Sequence, residues 1–236
     1  MNVLRTPVRA LARCLRQLGE YISVGGGTRH PATGDLETAE FERLVRRILS
    51  SIHTNSILLS GEKGTGKTPI LLYLKGRLTA DEDLALDFYP VYIDLRGVSE
   101  NLLFATVADA VLGQLAFSPP SKVARFGSDY DHRDLARDFR AVVHTLGERG
   151  RKPARLVLLV DGIDELNHYD PRTTQRVRSL FMASLAESLV MVASAVEIDK
   201  HWEQEGSPWY NFFEEIEIPS PPIVNREVRD RMPRDG

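Results

Sequence analysis

The stretch GEKGTGKT, at positions 61–68, combines residue types that together can hold a phosphate group. Its glycines permit backbone conformations in which successive N–H groups turn inward around phosphate oxygens. Lys67 can reach the β- and γ-phosphates of a nucleoside triphosphate, and the hydroxyl of Thr68 can bind Mg²⁺. Every fixed position of the pattern G-x-x-x-x-G-K-[ST] is filled. The sequence therefore predicts a phosphate-binding loop, with the positive end of the following helix dipole directed at the ligand.

A second stretch, LVLLVDGIDEL at 156–166, carries carboxylates. Its apolar run is typical of a buried strand, and Asp161 follows at the carboxyl end, where open α/β sheets bind ligands. A carboxylate in this place can hold Mg²⁺ through the water shell of the metal. Asp164 and Glu165 come directly afterwards, and one of them can orient a water molecule toward the γ-phosphate. The alternative for these two acids is capping of a helix N-terminus, and the two roles can be divided between them.

The elements that position both stretches follow from hydrophobic patterning. Short apolar or β-branched runs predict five strands, and amphipathic segments between them predict helices. The predicted strands lie at 55–60, 87–97, 154–162, 189–196 and 212–218. This alternation predicts an α/β fold with a parallel five-stranded sheet covered by helices on both faces. One segment, 117–134, is rich in proline, glycine and charge, which predicts a surface excursion.

The sequence DGIDE at 161–165, together with the glycine loop, resembles the motifs of the STAND NTPases of NACHT type, a branch related to the AAA+ ATPases. One additional strand predicted between the two motifs agrees with that class. The resemblance covers about 36–220. It implies a P-loop NTPase core of AAA+-like (ASCE) type, ATP or GTP with Mg²⁺, and a helical lid after the sheet. It also implies use as a nucleotide-driven switch or assembly engine.

The resemblance assigns roles by position. Asp161 becomes the Mg²⁺ ligand beside Thr68, and Asp164 or Glu165 becomes the water-orienting residue. The predicted nucleotide-binding residues are Gly61, Glu62, Lys63, Gly64, Thr65, Gly66, Lys67, Thr68 and Ser194, and the candidate catalytic residues are Lys67, Asp164 and Glu165.

The chain departs from this family in two places. The fourth strand should end in a polar sensor residue, which Ser194 can supply, but the arginine that often follows is absent from AVE at 195–197. After the fifth strand, the residues at 223–236 are too few for a lid, so the chain is either a piece of a longer protein or lacks the lid. Both departures predict slow hydrolysis. They keep open an alternative in which the protein holds a nucleotide as a scaffold without useful turnover.

These boundaries divide the chain into four segments. They are an amphipathic N-terminal helix at 1–22, a linker at 23–35, the NTPase core at 36–220 and the start of a truncated or absent lid at 221–236. The first segment is rich in arginine and has no acid before Glu20. It is compatible with an organelle transit peptide or with a helix on an anionic membrane, but packing on the core or on a partner is the favoured interpretation.

The overall composition limits the partners. The net charge of −3 gives no electrostatic case for nucleic acid, although nucleic-acid loading, known among AAA+ relatives, stays open. The single cysteine excludes a disulfide framework and fits an intracellular, cytoplasmic location. No apolar run reaches the ~18 residues of a membrane span. We expect ATP as the ligand and self-association or protein partners. A small GTPase is disfavoured, because NHYD at 167–170 lacks the lysine of a base-reading motif.

The segment HWEQEGSPWYNFF, at 201–213, is dense in aromatic residues. Exposed aromatic rings can stack on the bases of single-stranded nucleic acid. Acidic residues stand among them, however, and would repel a phosphate backbone. We therefore expect these rings to pack against the edge of the sheet.

Overall fold

The structure, a computed structural model, describes residues 42–52, 56–81, 88–117, 130–149, 154–180, 188–205, 207 and 209–219. The segments predicted at 1–22, 23–35 and 221–236 lie outside these residues. Within the described residues, no helix is both long enough and apolar enough to cross a membrane.

Strands and helices alternate along the described chain. In chain order the elements are helix α1 (42–51), strand β1 (Ser56–Ser60), helix α2 (Lys67–Ala80), strand β2 (Phe88–Asp94), helix α3 (Leu103–Gln114), helix α4 (His132–Arg149), strand β3 (Arg155–Asp161), helix α5 (Pro171–Ser179), strand β4 (Leu189–Ser194) and strand β5 (Phe213–Glu217). Short 3₁₀ helices lie at Glu100–Leu102, Ile163–His168 and Lys200–Glu203. The strands pair in parallel in the order β2-β3-β4-β1-β5. The predicted α/β fold with a parallel five-stranded sheet is thereby confirmed.

Apolar side chains cover both faces of this sheet, as expected for parallel strands that lie between helices. Successive residues of β3 point to opposite faces, because side chains alternate along a strand. Leu158 and Val160 belong to a core shared with α3 and α4, whereas Val157 and Leu159 belong to a core shared with α1 and α2. The sheet is therefore the middle of three layers.

The register of the strands aligns polar residues at this carboxyl edge. Asp94 lies opposite Asp161 in the β2–β3 pair, and Asp161 lies opposite Ser194 in the β3–β4 pair. Ser194 in turn lies opposite Leu59 of β1. Because the glycine loop follows Ser60 directly, it begins beside this polar row.

The surface excursion predicted at 117–134 is wrong at its end, because helix α4 begins at His132. Tyr130 is buried, and its hydroxyl donates a hydrogen bond to Asp138 at 2.8 Å. Asp131 caps the helix, since its carboxylate accepts a hydrogen bond of 2.8 Å from the backbone N–H of Arg133. These last residues belong to the core and the helix, and most of the segment before them lies outside the described residues.

The aromatic segment near the C-terminal strand packs against the sheet, as predicted. Trp202 and Trp209 are both buried, and their rings are stacked with centroids 5.1 Å apart. Trp209 also stacks on Phe213 of β5 at 5.5 Å. The ring of Tyr210 is exposed, unlike those of Trp202, Trp209 and Phe213. The segment therefore closes the edge of the sheet rather than presenting a row of rings to bases.

Two neighbouring leucines of α2 give a test of this packing. Leu71 is fully buried in the α1–α2 core, whereas Leu72 is 49% exposed. Leu71→Ala should lower the free energy of unfolding by about 3 kcal/mol, because it removes buried methyl groups and leaves a cavity. Leu72→Ala is the matched control and should change it by less than about 0.5 kcal/mol. Urea unfolding followed by circular dichroism measures both, and equal losses would contradict the placement of α2.

Candidate functional site

The glycine loop between β1 and α2 adopts backbone conformations that favour glycine. Gly61, Gly64 and Gly66 have φ values of 145°, 89° and 96°. A Cβ atom at Gly61 would lie 2.5 Å from the carbonyl oxygen of Ile218, so no larger residue fits there. Helix α2 starts at Lys67, directly after the left-handed Gly66. The unpaired N–H groups of the first turn of α2 are therefore delivered at the carboxyl edge of the sheet.

The ammonium group of Lys67 lies inside this loop. The side chain is only 7% exposed, and Nζ donates to the carbonyl oxygens of Gly61 and Glu62 at 2.5 and 2.7 Å and to Oγ1 of Thr65 at 3.3 Å. Burial lowers the pKa of Lys67, while the carboxylates of Asp164 and Asp161 act in the opposite direction. The sequence predicts that this cation reaches phosphates, and in the structure it is surrounded by three oxygen atoms of the loop.

The carboxylate of Asp161 accepts hydrogen bonds from several residues of the site. It is 4% exposed, and its Oδ2 accepts hydrogen bonds from the hydroxyl of Thr68 at 2.6 Å and from that of Tyr92 at 3.0 Å. Burial raises the pKa of Tyr92, and the charge of Asp161 adds to the rise, so this hydroxyl stays protonated and keeps donating. The two stretches singled out in the sequence, 93 positions apart at Thr68 and Asp161, are thus in direct contact.

Ser194 lies behind Asp161. It is 1% exposed, and its hydroxyl donates to Oδ1 of Asp161 at 2.5 Å while accepting from the backbone N–H of Gly162 at 3.2 Å. These contacts orient the carboxylate. A direct contact of Ser194 with a nucleotide, as predicted from the sequence, stays a prediction.

Two residues of the site were missed by the sequence analysis. Tyr92 contacts Asp161 as described, and Nη2 of Arg96 lies 3.3 Å from Oδ2 of Asp161. Both belong to the end of β2 or the turn after it, which the register places beside β3. The signal that could have identified them is YIDLRG at 92–97, in which charged residues appear as soon as a strand ends.

The two acids after Asp161 lie in the 3₁₀ helix Ile163–His168 and face different neighbours. Oε1 of Glu165 accepts a hydrogen bond of 3.0 Å from the backbone N–H of Gly97, in the loop after β2. Oδ2 of Asp164 accepts a longer one of 3.4 Å from Val196, after β4. The charge of Asp164, together with that of Asp161, raises the pKa of Lys67 against the effect of burial. The contacts tie both acids to neighbouring loops rather than to the start of their own helix.

The donor atoms of the site fit Mg²⁺ that arrives with a phosphate ligand. Among the described residues, no group of three or more His, Cys, Asp or Glu side chains is placed to hold a metal ion by itself. The oxygens of Thr68 and Asp161, 2.6 Å apart, are hard donors. Mg²⁺ often takes only one or two protein ligands and completes its shell with water and phosphate oxygens. The pair is suited to that arrangement.

The fold and the site can be compared with known protein families. A family model described as an AAA ATPase domain matches residues 35–192. The matched range includes the glycine loop, Asp161 and both acids after it. No curated protein matches the chain.

Solved structures share the fold at low sequence identity. ORC1 of Aeropyrum pernix in complex with DNA has a TM-score of 0.53 and 20% identity, over 77% of this chain and 44% of that one. ORC2 of Aeropyrum pernix, in ADPNP–ADP complexes, has 0.53 and 16%, over 76% and 47%. A Walker-type ATPase of Pyrococcus abyssi has 0.54 and 14%, over 75% and 52%. This chain therefore spans about half the length of these proteins, and the likeness establishes the fold.

Proposed function

Because the chain belongs to the AAA ATPase domain family, we propose that it binds ATP with Mg²⁺ at the glycine loop and acts as a nucleotide-dependent switch or assembly module. One observation carries this proposal. The buried ammonium of Lys67 and the Thr68–Asp161 pair converge at the point where α2 begins. Positive charge, backbone N–H groups and hard oxygen donors at one edge of the sheet form the combination that a nucleoside triphosphate requires.

Each residue then has a defined task. The loop N–H groups and Lys67 bind the phosphates, and Lys67 exchanges its contacts with Gly61 and Glu62 for phosphate oxygens. Thr68 and Asp161 hold Mg²⁺, which supplies charge that offsets the charge of the phosphates when it is bound. Ser194 and Tyr92 fix Asp161 so that its carboxylate does not rotate.

We assign the orientation of the attacking water to Asp164 rather than to Glu165. The charge of Asp164 raises the pKa of Lys67 against the effect of burial, which supports a place for this carboxylate near the phosphate side of the loop. Glu165 is held at 3.0 Å by the backbone of Gly97 and lies toward β2. Its proposed part is to fix the loop after β2. The sequence alone does not decide which of the two acids orients the water molecule. The contacts of the two side chains favour a division of roles between them.

The finer assignment to the NACHT type of STAND NTPases is also a proposal. It is supported by the sequence DGIDE at 161–165 and by β2, which lies between the two motifs along the chain and beside β3 in the sheet. In such a switch the energy of ATP binding changes shape or self-association, with turnover as the reset. ADPNP and ADP in the complexes of ORC2 of Aeropyrum pernix are consistent with nucleotide binding on this fold.

DNA binding on the same fold is known for ORC1 of Aeropyrum pernix. For this chain the net charge of −3 and the buried tryptophans Trp202 and Trp209 give no such support. Nucleic-acid loading therefore stays the alternative to an assembly switch, and a salt-dependent shift of DNA mobility by the protein would favour it.

Slow turnover combined with a nucleotide-dependent change of state is the expected behaviour. AVE at 195–197 lacks the arginine that often follows the fourth strand, and a missing cation of this kind can lower the rate by ~10³-fold. ATP that is held without rapid turnover can still shift an equilibrium if one state contacts the γ-phosphate better. Steady-state turnover and light scattering, each with ATP, ADP or no nucleotide, test this. Fast turnover by a monomer whose scattering and protease sensitivity do not differ between ATP and ADP would contradict the switch.

A further inference from the structure

We propose that Arg96 is a built-in cation of the nucleotide site, which compensates Asp161 in the absence of Mg²⁺ and competes with Mg²⁺ for that carboxylate. The consequence is a nucleotide affinity that depends less on Mg²⁺ than it would without Arg96. The inference rests on the proposed nucleotide binding and adds to it a determinant of metal dependence.

Arg96 is held in place by Asp94. Its Nε and Nη2 donate to the two carboxylate oxygens of Asp94 at 2.8 and 2.5 Å, and its backbone N–H donates to Oδ1 at 3.1 Å. A two-pronged guanidinium–carboxylate contact of this kind fixes direction as well as distance. The side chain is 57% exposed, yet its orientation is set by three bonds to one partner.

The guanidinium held in this way also contacts Asp161. Nη2 lies 3.3 Å from Oδ2, the same oxygen that accepts the hydroxyls of Thr68 and Tyr92. Gly162 makes the approach possible, since a Cβ atom there would lie 2.6 Å from Cγ of Arg96. The small residue after Asp161 thus has a local task in this chain, which is to admit the arginine.

The signs of the electrostatic effects follow from this position. A guanidinium beside Asp161 attracts anionic phosphates and repels a divalent cation that approaches the same oxygen. Asp94 pairs with the guanidinium and compensates part of its charge. Removal of Arg96 should therefore weaken nucleotide binding without Mg²⁺ and strengthen the binding of Mg²⁺ to the nucleotide complex.

A purely structural role of Arg96 makes a different prediction. If Arg96 only stabilises the turn after β2 through Asp94, its loss lowers the melting temperature but changes the nucleotide affinity equally with and without Mg²⁺. The ratio of these two affinities therefore separates the two roles, and it does not depend on catalytic activity.

The experiment measures the dissociation constant of ATP by isothermal titration calorimetry, once with excess EDTA and once with excess Mg²⁺. Arg96→Gln and Arg96→Met both remove the charge, and Arg47→Gln is the matched control. Arg47 is 56% exposed and pairs with Glu214 at 3.2 Å, opposite Ile57 and so toward the end of β1 away from the glycine loop. In the Arg96 variants the dissociation constant in EDTA, divided by the dissociation constant in Mg²⁺, should rise roughly tenfold. This corresponds to the loss of one charge-assisted contact.

The outcomes are distinguishable. A ratio that rises in both Arg96 variants and not in Arg47→Gln supports the inference, provided that thermal unfolding shows folded proteins. A ratio within twofold of wild type in whichever Arg96 variant is folded would overturn it and leave the proposed function standing. No ATP binding by the wild-type protein with or without Mg²⁺ would overturn the proposed function and this inference together.

Discussion

Lys67→Ala should abolish measurable ATP binding. Lys67 is the cation that the glycine-loop motif fixes, and its ammonium lies within 2.5–3.3 Å of three loop oxygens, at the position where phosphates would replace them. Loss of charge-assisted hydrogen bonds to more than one phosphate should weaken binding by ~100-fold or more. Isothermal titration calorimetry of wild type and variant with ATP and Mg²⁺ measures the difference.

The matched control for this prediction is Lys63→Ala. Lys63 belongs to the same loop but is exposed, and alanine keeps its backbone N–H. Because Lys67 is buried and bonded to the loop, Lys67→Met is a second variant that retains the aliphatic volume and removes only the charge. Circular dichroism establishes that the variants are folded. Undiminished affinity in folded Lys67→Met would show that the loop does not bind phosphates.

The position of the site could be predicted from the sequence because its two main stretches carry local signals. GEKGTGKT matches a motif that fixes glycine, lysine and threonine at set spacing. LVLLVD predicts a buried strand that ends in an acid. Both signals depend on neighbouring residues alone. The contact between Thr68 and Asp161 then follows, since the carboxyl ends of parallel strands meet at one edge of a sheet.

The surroundings of Asp161 could not be predicted in the same way. Tyr92, Arg96 and Ser194 reach it from two other strands, and their contacts depend on the register of β2 and β4 against β3. Register is decided by tertiary packing, which a reading of single segments does not contain. Arg96 in particular appeared as one charge after a strand, with nothing in the sequence to indicate that Asp94 directs it toward Asp161.

The start of α4 shows the same limit at a smaller scale. Proline, glycine and charge predicted a surface excursion over 117–134, but Asp131 caps α4 and the buried Tyr130 donates a hydrogen bond to Asp138, which lies further along that helix. The residue types at 117–134 indicate a loop, but they do not indicate the residue at which the loop ends and helix α4 begins. A cap is a single residue, and its effect is visible only against the helix that follows it.

Asp164→Asn should leave ATP binding intact and slow turnover by ~10²-fold or more. The carboxamide has nearly the same shape as the carboxylate, and its oxygen can still accept the hydrogen bond of 3.4 Å from Val196. What it loses is the negative charge that acts on Lys67 and the capacity to accept a proton from water. Ground-state contacts therefore survive, whereas the transition state loses its helper.

Glu165→Gln is the comparison that separates the two acids, because the structure gives them different neighbours. Glutamine can still accept the hydrogen bond of 3.0 Å from the backbone of Gly97, so the loop after β2 should stay fixed and the rate should fall far less than in Asp164→Asn. Single-turnover measurements with enzyme in excess over ATP isolate the chemical step from product release, and ATP affinity is measured separately. A larger loss in Glu165→Gln would transfer the water-orienting role to Glu165. Unchanged rates in both variants would leave these acids with no task beyond joining the loops after β2 and β4, and would favour the alternative in which the protein holds a nucleotide as a scaffold without useful turnover.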